Sequence, residues 1–151
     1  GVATGAVAGL VAITPAAGAV NALGALAIGL GAGLICYYAV ELLHKTKMDD
    51  ALDVFAVHGI GGLWGCIATG IFAIESIAGV KGLVEGNASQ VWIQIYTAGG
   101  TLIYSFVVSF VILFVLDKIP GLGLRVSESS ENQGLDLTEH GEQATVDDGA
   151  N

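Results

Sequence analysis

The sequence predicts an all-α polytopic membrane protein, and its composition and its long apolar runs both indicate that class. Of its 151 residues, 54% are hydrophobic and 13% are charged, and the mean hydropathy is +0.74. A soluble domain of this length needs far more polar surface to stay dispersed. A spanning helix needs about 20 apolar residues, and the sequence contains several runs of that length. The composition therefore favours a bilayer as the solvent of most of the chain.

Four apolar segments fill the first 120 residues, and we expect transmembrane spans at 1–13, 21–43, 51–77 and 91–116. The first segment is too short to span and stops at Thr14-Pro15, so it is expected to be part of a truncated span. The chain begins at Gly1 inside an apolar run, without a basic region, which favours a cut within a larger protein over a signal peptide. Residues 121–151 carry seven of the 14 acidic residues and are predicted to form a solvated tail.

The charged residues support these boundaries and give an orientation. A carboxylate at the centre of a bilayer costs about 2.5 kcal/mol or more, and four carboxylates fall near segment ends: Glu41, Asp53, Glu75 and Asp117. Four of the five basic residues fall on one side of the predicted spans: Lys45, Lys47, Lys118 and Arg125. The positive-inside rule then places the 44–50 loop and the tail in the cytoplasm of a cell-membrane protein.

The third span has a clear predicted start. Asp50 is a good N-cap residue, Ala51 is expected to begin the helix, and Asp53 would fall at the third helical position. Both carboxylates would then lie at the positive end of the helix dipole. For Asp53, two roles remain open: a capping residue, or a residue of a transport pathway.

Glycine spacing predicts how the spans pack. Close approach through small residues drives helix association in lipid, so a tightly packed bundle is expected from three pairs: Gly5 with Gly9, Gly29 with Gly33, and Gly61 with Gly65.

His58 is the sharpest candidate for a functional residue. It lies about two turns into the third span, where an ionisable side chain is a functional hypothesis by default. Its imidazole can donate from one nitrogen and accept at the other, which suits a small polar substrate partly stripped of water. The alternative is a histidine satisfied by a neighbouring carbonyl group. Val54, one turn earlier, is expected to narrow a pathway beside His58, and Thr14 either bonds locally or faces a lumen.

Other classes of function find little support. A net charge of −9 and the absence of a basic patch argue against nucleic acid. The sequence has no metal-ligand spacing and no hydrolase or phosphate-loop motif, so neither a metal, a cofactor nor an enzyme is expected. Cys36 and Cys66 are expected to be small buried hydrophobes. His44 is expected to be solvated or to face lipid headgroups.

Several stretches, in order, resemble the ammonium transporters of the Amt/Mep/Rh group, specifically the Amt branch. They cover nearly the whole chain and comprise GLVAITPAAG (9–18), DDALDVFAVHG (49–59), GLGLRV (121–126) and GLDLTEHGE (134–142). The resemblance implies about 3.5 spans at the C-terminal end of an eleven-span fold, in a homotrimer with one pore in each subunit.

The resemblance also implies roles for single residues. His58 matches the second of two histidines that share a hydrogen bond in a hydrophobic pore conducting ammonium or ammonia. Val54 matches an apolar pore-lining residue, and Thr14 matches a threonine near the lumen. The first histidine, an outer acidic residue and an aromatic gate would belong to earlier spans that this chain does not include.

The tail resembles the segment of the family that docks under the trimer, couples subunits and takes part in binding a P-II-type nitrogen regulator. The matching positions are Arg125, Glu139, His140 and Gly141. Thr145 departs from the tyrosine that the family often has after the EHGE motif. A membrane ammonium sensor that acts through this tail is the alternative function, and membrane lipids are expected partners in either case.

Overall fold

The computed structural model describes residues 1–46 and 48–142. Two positions used above, Lys47 and Thr145, lie outside the described residues. The chain divides into two compact units, Gly1–Ile103 and a second unit from Tyr104 onward. Within the described residues all regular secondary structure is helical, and three helices are long and apolar enough to cross a membrane: Ala22–Leu43, Phe55–Phe72 and Ser89–Asp117.

The first unit begins with two helices that are joined by a short turn. Helix α1 covers Val2–Ile13 and continues into a 3-10 turn at Thr14–Ala16. Helix α2 covers Ala22–Leu43, and the side chain of Asn21 caps it by accepting a hydrogen bond from the amide of Gly24 at 2.9 Å.

The third span differs from the prediction at both ends. It opens with a π-helical turn at Phe55–Ile60 and continues as α3, Gly61–Phe72. The prediction that Ala51 begins the helix is wrong, because Asp53 has φ +54° and no residue with that φ can continue a right-handed helix. The span also ends before the expected position 77: Ala73 is extended, and the amide of Ile74 donates to the carbonyl of Ala19 at 3.0 Å.

The chain after α3 returns through a short helix α4, Glu75–Ala78, and a 3-10 turn at Leu83–Glu85. Helix α5 then covers Ser89–Asp117 and contains no buried residue. Its first part belongs to the first unit, where a Cβ added at Gly70 would lie 2.8 Å from the Cα of Val91. A side chain at position 70 would therefore push the start of α5 away from the end of α3.

Small residues build the core of the first unit. Its main buried cluster consists of Ala12, Ala16, Ile28, Ala32 and Ala68. The indole nitrogen of Trp64 donates to the carbonyl of Ile28 at 3.0 Å, so the polar edge of this large ring is satisfied inside the bundle. Backbones approach closely here because most of the buried side chains are single methyl groups.

Of the three predicted glycine pairs, the pair Gly61 and Gly65 lies where neighbouring helices approach closely. A Cβ added at Gly65 would lie 2.2 Å from the carbonyl oxygen of Ala12, and one added at Gly61 would lie 3.0 Å from the sulfur of Cys36. The other two pairs do not mediate packing within the described residues, since an added Cβ meets nothing within 4 Å at any of their four positions: Gly5, Gly9, Gly29 and Gly33. Equal spacing thus does not distinguish a packed glycine face from an open one.

The second unit holds the rest of α5 and the described part of the tail, which is not structureless. Helix α6 covers Glu128–Gln133 and is capped by the hydroxyl of Ser127, which accepts from the amide of Ser130 at 3.2 Å. A second helical turn follows at Asp136–His140. Residues 121–142 are nevertheless largely exposed.

Candidate functional site

His58 lies in the π-helical turn that opens the third span. Its neighbours Ala56 and Val57 are buried, whereas His58 itself is exposed in this chain. Single π-helical turns inside α-helices occur frequently at functional sites. Nothing in the residue pattern around His58 predicts the wider turn, so this feature is visible in the structure alone.

A cavity of about 200 Å³ lies against His58. Its lining combines four aliphatic side chains with one hydroxyl and the imidazole: Ala3, Val7, Leu52, Val57, Thr4 and His58. The volume is enough for several molecules the size of water, each of which occupies about 30 Å³ in the liquid. The imidazole of His58 and residues of α1 thus border a partly open space in which the imidazole can hydrogen-bond a small polar solute.

The residues that surround His58 differ from those expected from the sequence. Among the described residues, Leu52, Thr4 and Val7 line the cavity and Val54 does not. A spacing of four residues places side chains on one face of an α-helix, but that spacing does not bring Val54 into the lining of the cavity at His58. Val54 is 48% exposed, and its role in a pathway stays a prediction.

Thr14 begins the 3-10 turn that follows α1. Its hydroxyl donates to the carbonyl of Leu10 at 2.8 Å, and the residue is exposed in this chain. The local hydrogen bond and the exposed position coexist, so the two roles left open for Thr14 are compatible. Its proximity to a lumen stays a prediction.

Asp50 and Asp53 have different partners, although both precede the third span. The carboxylate of Asp50 accepts from the amide of Val54 at 2.9 Å and from that of Phe55 at 2.8 Å. The prediction that Asp50 is the N-cap residue is wrong, because Val54 holds that position. Asp50 nevertheless accepts from two amides at the helix start, from four and five residues away. The carboxylate of Asp53 instead accepts a hydrogen bond from the Nε2 of His44 at 2.7 Å. His44 is exposed as expected, with 60% of its side chain accessible, but the sequence did not indicate this hydrogen bond.

Asp53 also borders a second cavity, of about 330 Å³, that lies along α1 and α2. Two carboxylates line this cavity, those of Glu41 and Asp53, and Thr4 lines both this cavity and the one at His58. Asp53 therefore bonds to the residue that ends α2 and also lies at the edge of a mostly apolar cavity that two carboxylates border.

The four candidate residues of the tail fall into two local structures. The guanidinium of Arg125 pairs with the carboxylate of Glu131 in α6. Glu139 and His140 end the helical turn at Asp136–His140, and Gly141 closes it with φ +65°. Gly141 is needed here because residues with a side chain rarely adopt that backbone conformation. Docking or regulation through these residues stays a prediction.

No group of three or more potential metal ligands comes together within residues 1–46 and 48–142. The chemistry available at His58 is accordingly hydrogen bonding by an imidazole beside mostly aliphatic side chains. Together with three membrane-length helices, this site defines a multi-span membrane protein with a polar group at the wall of a small cavity.

Comparison with known proteins identifies the family within that class. Residues 1–145 match the Ammonium Transporter Family. The chain belongs to this family, which confirms the resemblance and the all-helical, multi-span fold predicted from the sequence. The family is one of transporters rather than enzymes.

Relatives and solved structures agree with this assignment. The chain is 49% identical over 150 residues to an ammonium transporter of Bacillus subtilis, covering 97% of this chain and 37% of the relative. It is 46% identical to ammonium transporter Amt1 of Archaeoglobus fulgidus, with 95% and 36% covered. The crystal structure of Saccharomyces cerevisiae Mep2 superposes with a TM-score of 0.76 at 36% identity, over 83% of this chain and 30% of Mep2. The chain therefore spans about a third of the length of these relatives.

Proposed function

We propose that this chain is the C-terminal part of an ammonium transporter and forms one wall of its conducting pathway. The observation that carries the proposal is the place of His58 beside a mostly aliphatic cavity of about 200 Å³, in a chain that belongs to the Ammonium Transporter Family. Val54 and Thr14 are proposed to line the same pathway, and a second histidine is proposed to come from a span that precedes this chain.

The chemistry of such a wall follows from solvation. A full charge in a narrow apolar space loses its hydration at a cost of several kcal/mol, whereas neutral ammonia loses little. A proton and ammonia are therefore expected to separate before the narrow part. The imidazole of His58 then provides a hydrogen-bond partner for ammonia and a site for the proton inside an otherwise aliphatic lining.

The test is the substitution His58→Ala in the complete protein. Loss of a hydrogen-bond partner at the pathway costs about 1–3 kcal/mol, so ammonium currents should fall about five- to 150-fold while the amount and assembly of the protein stay unchanged. The matched control is Thr101→Val, because Thr101 is exposed and, among the described residues, its hydroxyl bonds to the carbonyl of Thr97 in its own helix. Wild-type ammonium currents with intact potassium exclusion in His58→Ala would refute the proposal.

The assembly and orientation belong to the same proposal. We infer a homotrimer in the cell membrane, with the 44–50 loop and the tail in the cytoplasm, from the positions of the basic residues and from membership of the family. Cross-linking of the complete protein in membranes measures the subunit number. Protease access to the tail from the two sides measures the orientation.

A sensor that acts through its tail is the second candidate. The observation that favours it is the local folding of residues 121–142, in which Arg125 pairs with Glu131 and the amide of Glu142 donates to the carbonyl of Asp136 at 2.8 Å. A P-II-type regulator is the proposed partner of this surface. Ammonium flux with and without residues 121–151 separates the two functions, because a sensor binds its partner but carries no current.

A further inference from the structure

The loop between α2 and the helix of His58 is held by a side-chain bond that spans its two ends. His44 is the residue that ends α2, and its Nε2 lies 2.7 Å from the Oδ1 of Asp53. An ionised carboxylate can only accept hydrogen bonds, so Nε2 carries the hydrogen and donates it. The bond connects residues nine positions apart and fastens the start of the third span to the end of the second.

The backbone of Asp53 is in a conformation that needs such support. Among the described residues, Asp53 is the one non-glycine residue with positive φ, at +54°. Such residues persist only where the surroundings hold them. The described side-chain bond of Asp53 is the one to His44, since the amides at the helix start donate to Asp50 instead.

The conformation of Asp53 in turn sets two walls of the cavity at His58. Leu52 directly precedes Asp53, and the amide of Val57 donates to the carbonyl of Asp53 at 2.9 Å. Leu52 and Val57 both line the cavity. A change of φ at position 53 would redirect Leu52 away from His58 and release the hydrogen bond of Val57.

We propose that His44 is a positioning residue for transport. Through Asp53, it fixes the backbone that places Leu52 and Val57 against the imidazole of His58. The inference deepens the proposed function and rests on it, because positioning matters for conduction only if His58 lies on the pathway. The sequence spacing gives no sign of this contact, because His44 and Asp53 lie nine positions apart on either side of a loop.

The first experiment compares ammonium currents of variants of the complete protein, normalised to the amount of assembled protein. His44→Ala should lower the current about three- to tenfold. His44→Gln should restore at least half of it, because the glutamine amide can donate to the same carboxylate oxygen. Lys45→Gln is the matched control, a neighbouring exposed basic residue, and should behave as wild type.

Two results would overturn the inference at this stage. One is a wild-type current in His44→Ala, measured alongside a lost current in His58→Ala. If His44→Ala does not accumulate, His44→Asn replaces it, since its amide is too short to reach Asp53. Equal currents in His44→Asn and His44→Gln are the second overturning result.

The second experiment tests the positioning role of His44 independently of the proposed transport function. Hydrogen exchange of the segment 52–58 should accelerate about tenfold in His44→Ala, by the same amount in Asp53→Ala, and no further in the double variant. Should His58→Ala leave the current unchanged, the proposed function fails. Exchange then decides whether His44 positions this segment: acceleration supports the positioning and an unchanged rate overturns it.

Discussion

Helices α1, α2 and α3 bury residues against one another, whereas α5 buries none, although all four are apolar. The two tryptophans show the difference. Trp64 packs against the alanine-rich core and donates to a backbone carbonyl, while Trp92 in α5 is 60% exposed. Hydrophobicity therefore predicts that a segment enters the membrane, but it does not predict which helices of this chain pack against one another.

The physical basis of the contrast is the size of the side chains at each surface. Lipid tails are as apolar as leucine, so helices associate in a bilayer where small residues let backbones meet. The first unit offers alanine and glycine at its contacts. The part of α5 in the second unit instead carries a column of stacked exposed rings, Phe106, Phe110 and Phe114, with centroids 6.3 Å apart.

The largest expected effect is the difference in unfolding free energy between alanine substitutions of the two tryptophans. Trp64→Ala removes a packed ring and its hydrogen bond and should lower the free energy of unfolding by about 3 kcal/mol or more. Trp92→Ala should change it by less than about 0.5 kcal/mol. Unfolding of the complete protein by sodium dodecyl sulfate, followed by circular dichroism, measures both, and similar losses would abolish the distinction between the two regions.

A smaller difference in unfolding free energy is expected between alanine substitutions of two glycines of the first unit. Gly65→Ala places a methyl group 2.2 Å from the carbonyl oxygen of Ala12, so α1 and α3 must move apart at a cost of about 1–3 kcal/mol. Gly29→Ala meets nothing within 4 Å and should be neutral or stabilising, since alanine favours helices. The same denaturation assay checks the pair, and the prediction is wrong if Gly29→Ala costs as much as Gly65→Ala.

The smallest effect is expected in the tail. Glu131→Gln breaks the pair with Arg125, whose side chain is 71% exposed. Exposed pairs contribute about 0–1 kcal/mol and are screened by salt, so the variant should lose less than about 1 kcal/mol, and less still at high salt. Unfolding at low and high salt measures this. A salt-independent loss would show that the tail pair is buried in the assembled protein.

The predictable parts of the molecule are those that depend on local composition. The apolar run at 21–43 predicts a helix whose observed bounds are Ala22–Leu43, because length and hydropathy are properties of adjacent residues. His58 is singled out by the same kind of reasoning, because an ionisable residue inside an apolar run can be recognised from the sequence alone. Its role in conduction stays a prediction.

The parts that the sequence leaves open depend on contacts between distant segments. Asp53 has a positive φ and its side chain bonds to His44 across the loop, so the capping signal of Asp50 predicted the wrong start for the third span. The same holds for glycine: Gly65 and Gly29 lie in similar patterns, but one faces the backbone of Ala12 and the other faces open space.

The sequence by itself determined that the chain is helical, apolar and built to cross a membrane, because the solvent preference of each segment is a sum over its own residues. The tertiary structure decided which faces meet and which side chains surround His58. It placed Thr4, Val7 and Leu52 at that cavity and joined His44 to Asp53. Those relations arise from packing and chain reversal, which bring together residues that no local pattern connects.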